Sequence, residues 1–372
     1  MKKTDVYIWC LGALICANTS QSCSSEEIIS EQNSTATINS EFDPENLITE
    51  KYTGSQLKPA VFNEISFDGD PFDSPCETTD FGRVLSDYFL DLINDPYFDF
   101  ELVQYYADLN RRYVTFYVGE NYYGPSGEYN MLARKRIRQL TAFWKLDREI
   151  YLNGQHSENL NDIEILTDMI ESFDRTVRNR TEAYNKARSL LEINAKSSNL
   201  PENPYFSLDA FTRSNGLLVI GDGLLKILTD VGIDGNIAFS SILAHEWWHQ
   251  AQFENEWKWR IKDRFPNRSE FSRFSELESD FAAAYFLTHK RGATYNWKRI
   301  ENYFKLSFNV GDCLVESDQH HGTPSQRMAA ARSGFELADL ARKKGFILSA
   351  EEIHQTFIEF YDSSILKADL RI

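Results

Sequence analysis

The chain has 372 residues, 42% of them apolar, with 26 Phe, 18 Tyr and 7 Trp; that is too aromatic for a disordered chain and enough for a sizeable core. Its formal net charge of −17 repels phosphate backbones, so nucleic acid is excluded as an expected partner. No apolar run has the length of an ordinary bilayer-spanning helix.

In chain order, a short positive start, "MKK", precedes "VYIWCLGALICA" (6–17), an apolar run of signal-peptide length. Residues 1–22 resemble a bacterial lipoprotein signal, which implies Cys23 as the lipidated first residue of the mature protein; Cys16, inside the apolar run, is the weaker candidate. Residues 23–60 are polar and acidic and read as a flexible tether. Acidic residues just after such a cysteine resemble surface-export signals of Bacteroidetes lipoproteins. The implied location is the bacterial envelope, periplasmic or outer-membrane surface facing, with membrane contact through the N-terminal lipid only. Of five cysteines, only Cys76 and Cys313 lie beyond the signal region that ends at Cys23. They form one disulfide or stay separate thiols.

Residues 61–200 read as a helical, aromatic region. "RVLSDYFLDLI" and "MLARKRIRQLTAFWKL" carry apolar residues at helical spacing. "RRYVTFYV" (111–118), rich in β-branched and aromatic residues, predicts a strand. The basic cluster Arg134, Lys135, Arg136 and Arg138 predicts a solvated helix face. Residues 162–193 predict one or two amphipathic helices. Residues 205–225 predict two strands around the turn "SNG". Long helices follow over 235–257 and 272–292. His156, His289 and His354 stand alone in the sequence and read as surface or packing histidines.

The chemistry concentrates in "HEWWHQ" (245–250). Residues four apart on a helix share a face one turn apart, so His245 and His249 can reach one metal ion. Glu246 lies about 100° round from His245, placed to reach an ion-bound water rather than the ion. This is the His-Glu-x-x-His arrangement of zinc hydrolases; on its own it also occurs in core helices with two satisfied histidines. Zinc needs a third protein ligand and an open fourth position. In "SELESD" (275–280), Glu276 and Asp280 share a face and Glu278 points elsewhere. Glu276 is the expected third ligand, with Asp280 orienting a histidine through its free ring nitrogen. Ala282, Ala283 and Ala284 allow close approach of the two helices. On the helical wheel Trp247 faces the core, and Trp248 flanks the site as a wall of the substrate pocket.

"HEWWHQAQ", "ELESDFAAAY" and "HGTPSQR" together resemble the gluzincin metallopeptidases, nearest the neutral zinc metallopeptidase family, with membrane-bound HtpX-type peptidases more distant. The resemblance spans about 205–330. It implies a zincin-like core over 201–372, with a small antiparallel sheet beside the His-Glu-x-x-His helix. The expected fold class is therefore α+β, mainly helical. It implies one catalytic Zn2+ on His245, His249 and Glu276, and a catalytic role for His321 within 321–327. The family usually has a small residue where Trp248 stands, so a more crowded pocket is expected.

The expected activity is zinc-dependent hydrolysis of peptide or protein substrates, with Glu246 as proton acceptor and donor. His320, His321, Tyr285 and Arg327 are candidates to stabilise transition-state charge, Tyr285 and Arg327 as pocket residues. The strand "GLLVI" (216–220) is a candidate edge for an extended peptide, or an ordinary buried strand. A different reading is a non-catalytic, zinc-stabilised envelope protein that binds peptides or partner proteins; it does not require Glu246. A surface nutrient-binding lipoprotein would rest on aromatic content alone.

Overall fold

The computed structural model describes residues 79–97, 100–116, 122–199, 202–265, 267–312, 320–342 and 345–369. The leader 1–22, the tether 23–60, Cys16, Cys23, Cys76 and Cys313 lie outside these residues.

Helix α1 (Asp80–Ile93) is capped by the Thr79 hydroxyl and followed by α2 (Phe100–Phe116). The strand expected over 111–118 is instead the last turns of α2 as far as residue 116. Val103, Tyr106, Tyr113 and Val114 are buried at helical spacing with Leu102, Tyr105 and Leu109. That packing outweighs the local β preference of the segment. In α3 (Asn130–Trp144), Arg134, Lys135 and Arg138 are exposed, but Arg136 is buried. Its Nε donates to Ser240 Oγ at 2.9 Å, and its guanidinium lies 5.3 Å from the Tyr295 ring centroid. The expected solvated face thus loses one member, which pins α3 to the His helix.

Strand β1 (Tyr151–Gln155) leads to α4 (Ile163–Phe173) and α5 (Arg180–Asn194), capped by Asp162 and Asn179. Strands β2 (Ala210–Thr212) and β3 (Leu217–Gly221) pair as the expected antiparallel hairpin. Gly216 closes the turn at φ +97°, where a Cβ would run into the Glu149 carbonyl. The sheet order is β1-β3-β2, and β1 runs parallel to β3. The sheet is therefore mixed, where an antiparallel one was expected. β3 is its buried middle strand, paired on both edges, so "GLLVI" offers no free edge to a peptide. The β1–β3 pairing also crosses the expected division at residue 200. One core joins α3 to the helices beyond it, and a second joins α2, α4, α5 and the hairpin.

The remainder is helical: α6 (Asp222–Asp230), α7 (Gly235–Trp259), α8 (Arg268–Thr288), α9 (Trp297–Asn309), α10 (Pro324–Arg342) and α11 (Ala350–Phe360). The fold is mainly helical α+β with one small sheet. α7 starts at the Asp234 cap, and its Gln250 ties it to the sheet through the Thr212 hydroxyl and the Arg213 carbonyl. α8 is buried on nearly every face, and α7 and α10 pack on it. Ala282, Ala283 and Ala284 are all buried within it, as the close approach requires. Gly334 of α10 lies against the Phe281 main chain of α8; any side chain there would hold the helices apart. Among the described residues no helix is long and apolar enough to cross a membrane.

Candidate metal centre

α7 and α8 bring His245, His249 and Glu276 together in the interior. His245 Nε2 lies 3.2 Å from His249 Nε2 and 3.2 Å from Glu276 Oε2, and His249 Nε2 lies 3.3 Å from Glu276 Oε1. Three ligands on a tetrahedral ion with bonds of about 2.05 Å stand roughly 3.3 Å apart. The donor set and its spacing therefore fit a divalent ion, and the group could bind one.

Asp280 holds His245 in place, its Oδ1 3.0 Å from Nδ1. Arg327 of α10 donates to both oxygens of Asp280, Nε to Oδ2 at 2.7 Å and Nη2 to Oδ1 at 3.0 Å. Tyr303 of α9 donates to the Asp280 carbonyl at 3.0 Å. The carboxylate thus presents one fixed lone pair to the ring, leaving Nε2 toward the cluster. Arg327 serves Asp280 and lies 3.7 Å from Glu276; it is buried behind the ligands rather than on a pocket wall, which corrects its expected place.

The charges follow from this geometry. Burial opposes the charge on His245, but hydrogen bonds to Asp280 and Glu276, and their charges, raise its pKa to about 10. Burial likewise opposes ionisation of Glu276, yet the His249 charge and hydrogen bonds from both histidines hold its carboxyl well below the usual range. Without an ion, a proton on His245 takes the cation's place. A metal must displace that proton, so apparent zinc affinity should rise about tenfold per pH unit below about pH 10, then level off. Chelator competition across pH tests this; a flat profile would place the proton elsewhere. In the metal-free protein the raised His245 pKa adds stability below its ordinary value near 6.5, lost as pH rises through about 10.

Glu246 is 6% exposed, and its Oε2 has no hydrogen-bond partner in the protein. Burial raises its pKa, against the lowering charges of His249 and His245. A buried carboxylate oxygen left unpaired is costly unless something else comes to it. His321 is partly exposed and close enough for its charge to bear on Glu276. Its backbone N–H donates to Asp312 at 2.6 Å, and burial lowers its ring pKa. His320 is buried, with Nδ1 2.7 Å from Asp312 Oδ1.

Two expected pocket residues lie elsewhere. Trp248 is completely buried, its ring edge-on to Trp144 at 4.8 Å and stacked on Trp259 at 6.0 Å. It anchors α7 in the core, as Trp247 does. Tyr285 is also fully buried; its hydroxyl accepts from Leu348 N at 3.0 Å and its ring packs on Phe143. A wheel angle places a side chain around its own helix but does not say what fills the space beside it. His156 and His289 are packing histidines, against Tyr122 and Phe143. Glu278 stays outside the ligand group, as expected, but His354 does not stand alone: its Nδ1 lies 2.6 Å from Glu278 Oε1. Their contact with each other, and the parts of Gln252, Ser279 and Tyr303, escaped sequence reading. Gln252, three residues after His249 on the same helix, was the one available signal.

Comparisons with family models, with curated proteins and with solved structures found no match for this chain.

Proposed function

We propose that this protein is a zinc-dependent peptidase of the bacterial cell envelope. The observation that carries the reading is the unpaired, buried Oε2 of Glu246 on the helix of a His245–His249–Glu276 cluster spaced for one ion. A purely structural site would have no use for Glu246 in that position. Zinc held there would supply a Lewis acid and a water acidified to near neutral pH. Glu246 takes the proton of the attacking water and returns it to the leaving amine. Asp280, with Arg327 behind it, keeps His245 turned toward the cluster. His321, partly exposed beside Glu276, is the proposed donor to the developing oxyanion. The substrate class is peptides or proteins, consistent with the family resemblance of 205–330. Purified protein should carry about one zinc per chain and cleave members of a mixed peptide library read by mass spectrometry. Bound zinc without cleavage would favour the non-catalytic, peptide-binding alternative; absence of both would end the metal reading.

The proposed anchor is a lipid on Cys23. Cells fed labelled palmitate should label the wild type and not Cys23→Ser; equal labelling of both would remove Cys23 from that role.

A further inference from the structure

The two histidines of the cluster are backed differently. His245 meets a carboxylate directly. His249 meets the side-chain amide of Gln252, whose Oε1 is 2.7 Å from Nδ1. The other end of that amide, Nε2, donates to Glu278 Oε2 at 2.8 Å and to the Ser275 carbonyl at 3.0 Å. Beyond Glu278 stands His354 of α11, with Nδ1 2.6 Å from Glu278 Oε1 and its ring stacked on Trp259 at 4.1 Å. Glu278 and His354 are 0% and 2% exposed.

We propose, resting on the metal-site reading above, that Glu278 acts through Gln252 to set the tautomer of His249, making both positioning residues for the metal ligand. An ionised carboxylate and a carbonyl oxygen only accept. The Gln252 NH2 group must therefore face Glu278 and Ser275, which turns Oε1 toward His249. An amide oxygen cannot donate, so His249 keeps a proton on Nδ1, and Nε2, which faces Glu276, is the nitrogen that gives up its proton to free the lone pair a metal needs. Ser279 imposes the same choice independently. Its hydroxyl gives its single proton to the Ser275 carbonyl at 2.9 Å, so its oxygen, 3.2 Å from His249 Nδ1, can only accept. His354 completes the chain by donating Nδ1–H to Glu278.

The logic is reversible by substitution. With Glu278→Gln, His354 still donates to the new amide oxygen, which turns the new NH2 toward Gln252. Gln252 then flips, giving up its bond to the Ser275 carbonyl, its NH2 faces His249, and Ser279→Ala removes the second constraint at His249; if the Ser275 carbonyl alone held the amide in place, Glu278 would have no positioning role. The full chain carrying Glu278→Gln and Ser279→Ala should show neutral His249 protonated on Nε2 and bare at Nδ1 in nitrogen-edited NMR of the metal-free protein. Its zinc affinity, measured by chelator competition, should fall about 10–100-fold. Adding Gln252→Glu restores a group that only accepts at His249 and accepts from the new amide, so both readouts should return toward wild type. A loss that came only from disturbed packing would not be rescued by a third change. Retention of the Nδ1–H tautomer and of affinity in the double variant overturns the proposal. So does an Nε2–H tautomer of His249 in the metal-free wild type, a measurement independent of whether any variant folds. Zinc binding without peptide cleavage would sink the peptidase reading alone and leave this one intact.

Discussion

Glu246→Gln is expected to lower kcat/KM on a cleaved peptide by about 10²–10⁴-fold, the usual worth of a positioned general base. It should leave zinc content unchanged. The amide has the size of the carboxylate and no affinity for a proton at neutral pH. Glu246 is absent from the ligand cluster, so the ion should stay. Burial raises the Glu246 pKa, which makes the carboxylate a stronger base than an exposed one. The neighbouring histidines act against that shift, and a bound ion would act in the same sense as they do. Metal analysis beside steady-state kinetics separates the possible results. Activity and zinc lost together would make Glu246 a ligand. Activity unchanged would remove Glu246 from the proton-transfer role and from the argument for catalysis at this site.

The second large effect is on stability. Asp280 is 1% exposed and Arg327 5% exposed, and the pair is bidentate. Asp280→Ala leaves a buried guanidinium without its main counter-charge, which costs about 3–5 kcal/mol. It also releases His245 Nδ1 from its partner, so zinc affinity should fall about 10–100-fold. Asp280→Asn keeps an acceptor oxygen and should lose less on both counts. Denaturant unfolding and chelator competition on the two variants check this. An Asp280→Ala protein within about 1 kcal/mol of wild type would mean that Arg327 reaches another partner or water on relaxing.

Zinc uptake and folding stability meet in this cluster. Asp280 and Glu276 are drawn toward ionisation by Arg327 and the histidines, against burial that opposes it. Much of the interior of α8 is therefore polar, and each buried polar group needs a designated partner. Ser275, Glu276, Glu278, Ser279 and Asp280 sit on consecutive faces of one helix, and each has one. The helix expected to supply the third ligand is buried on nearly every face.

Local pattern was enough for the spacing of His245, Glu246 and His249, the choice of Glu276 and Asp280, the hairpin around Gly216 and most helices. These features depend on helical or strand periodicity over a few residues, which the chain writes directly. Tertiary packing decided the rest. Residues 111–116 are helical because Tyr113 and Val114 are buried in the core shared with α4 and α5. Trp248 and Tyr285 left the expected pocket because Phe143 and Trp144, far away in sequence, pack against them, with Trp259 of the same helix closing on Trp248. β3 lost its free edge to β1, a strand more than sixty residues upstream. Arg136 left the solvated face for Ser240 and Tyr295. The sequence by itself determined which side chains could hold an ion and the helix period that groups them. Only the tertiary structure decided which way those side chains are turned, because Arg327, Glu278 and His354 come to them through contacts that no local spacing encodes.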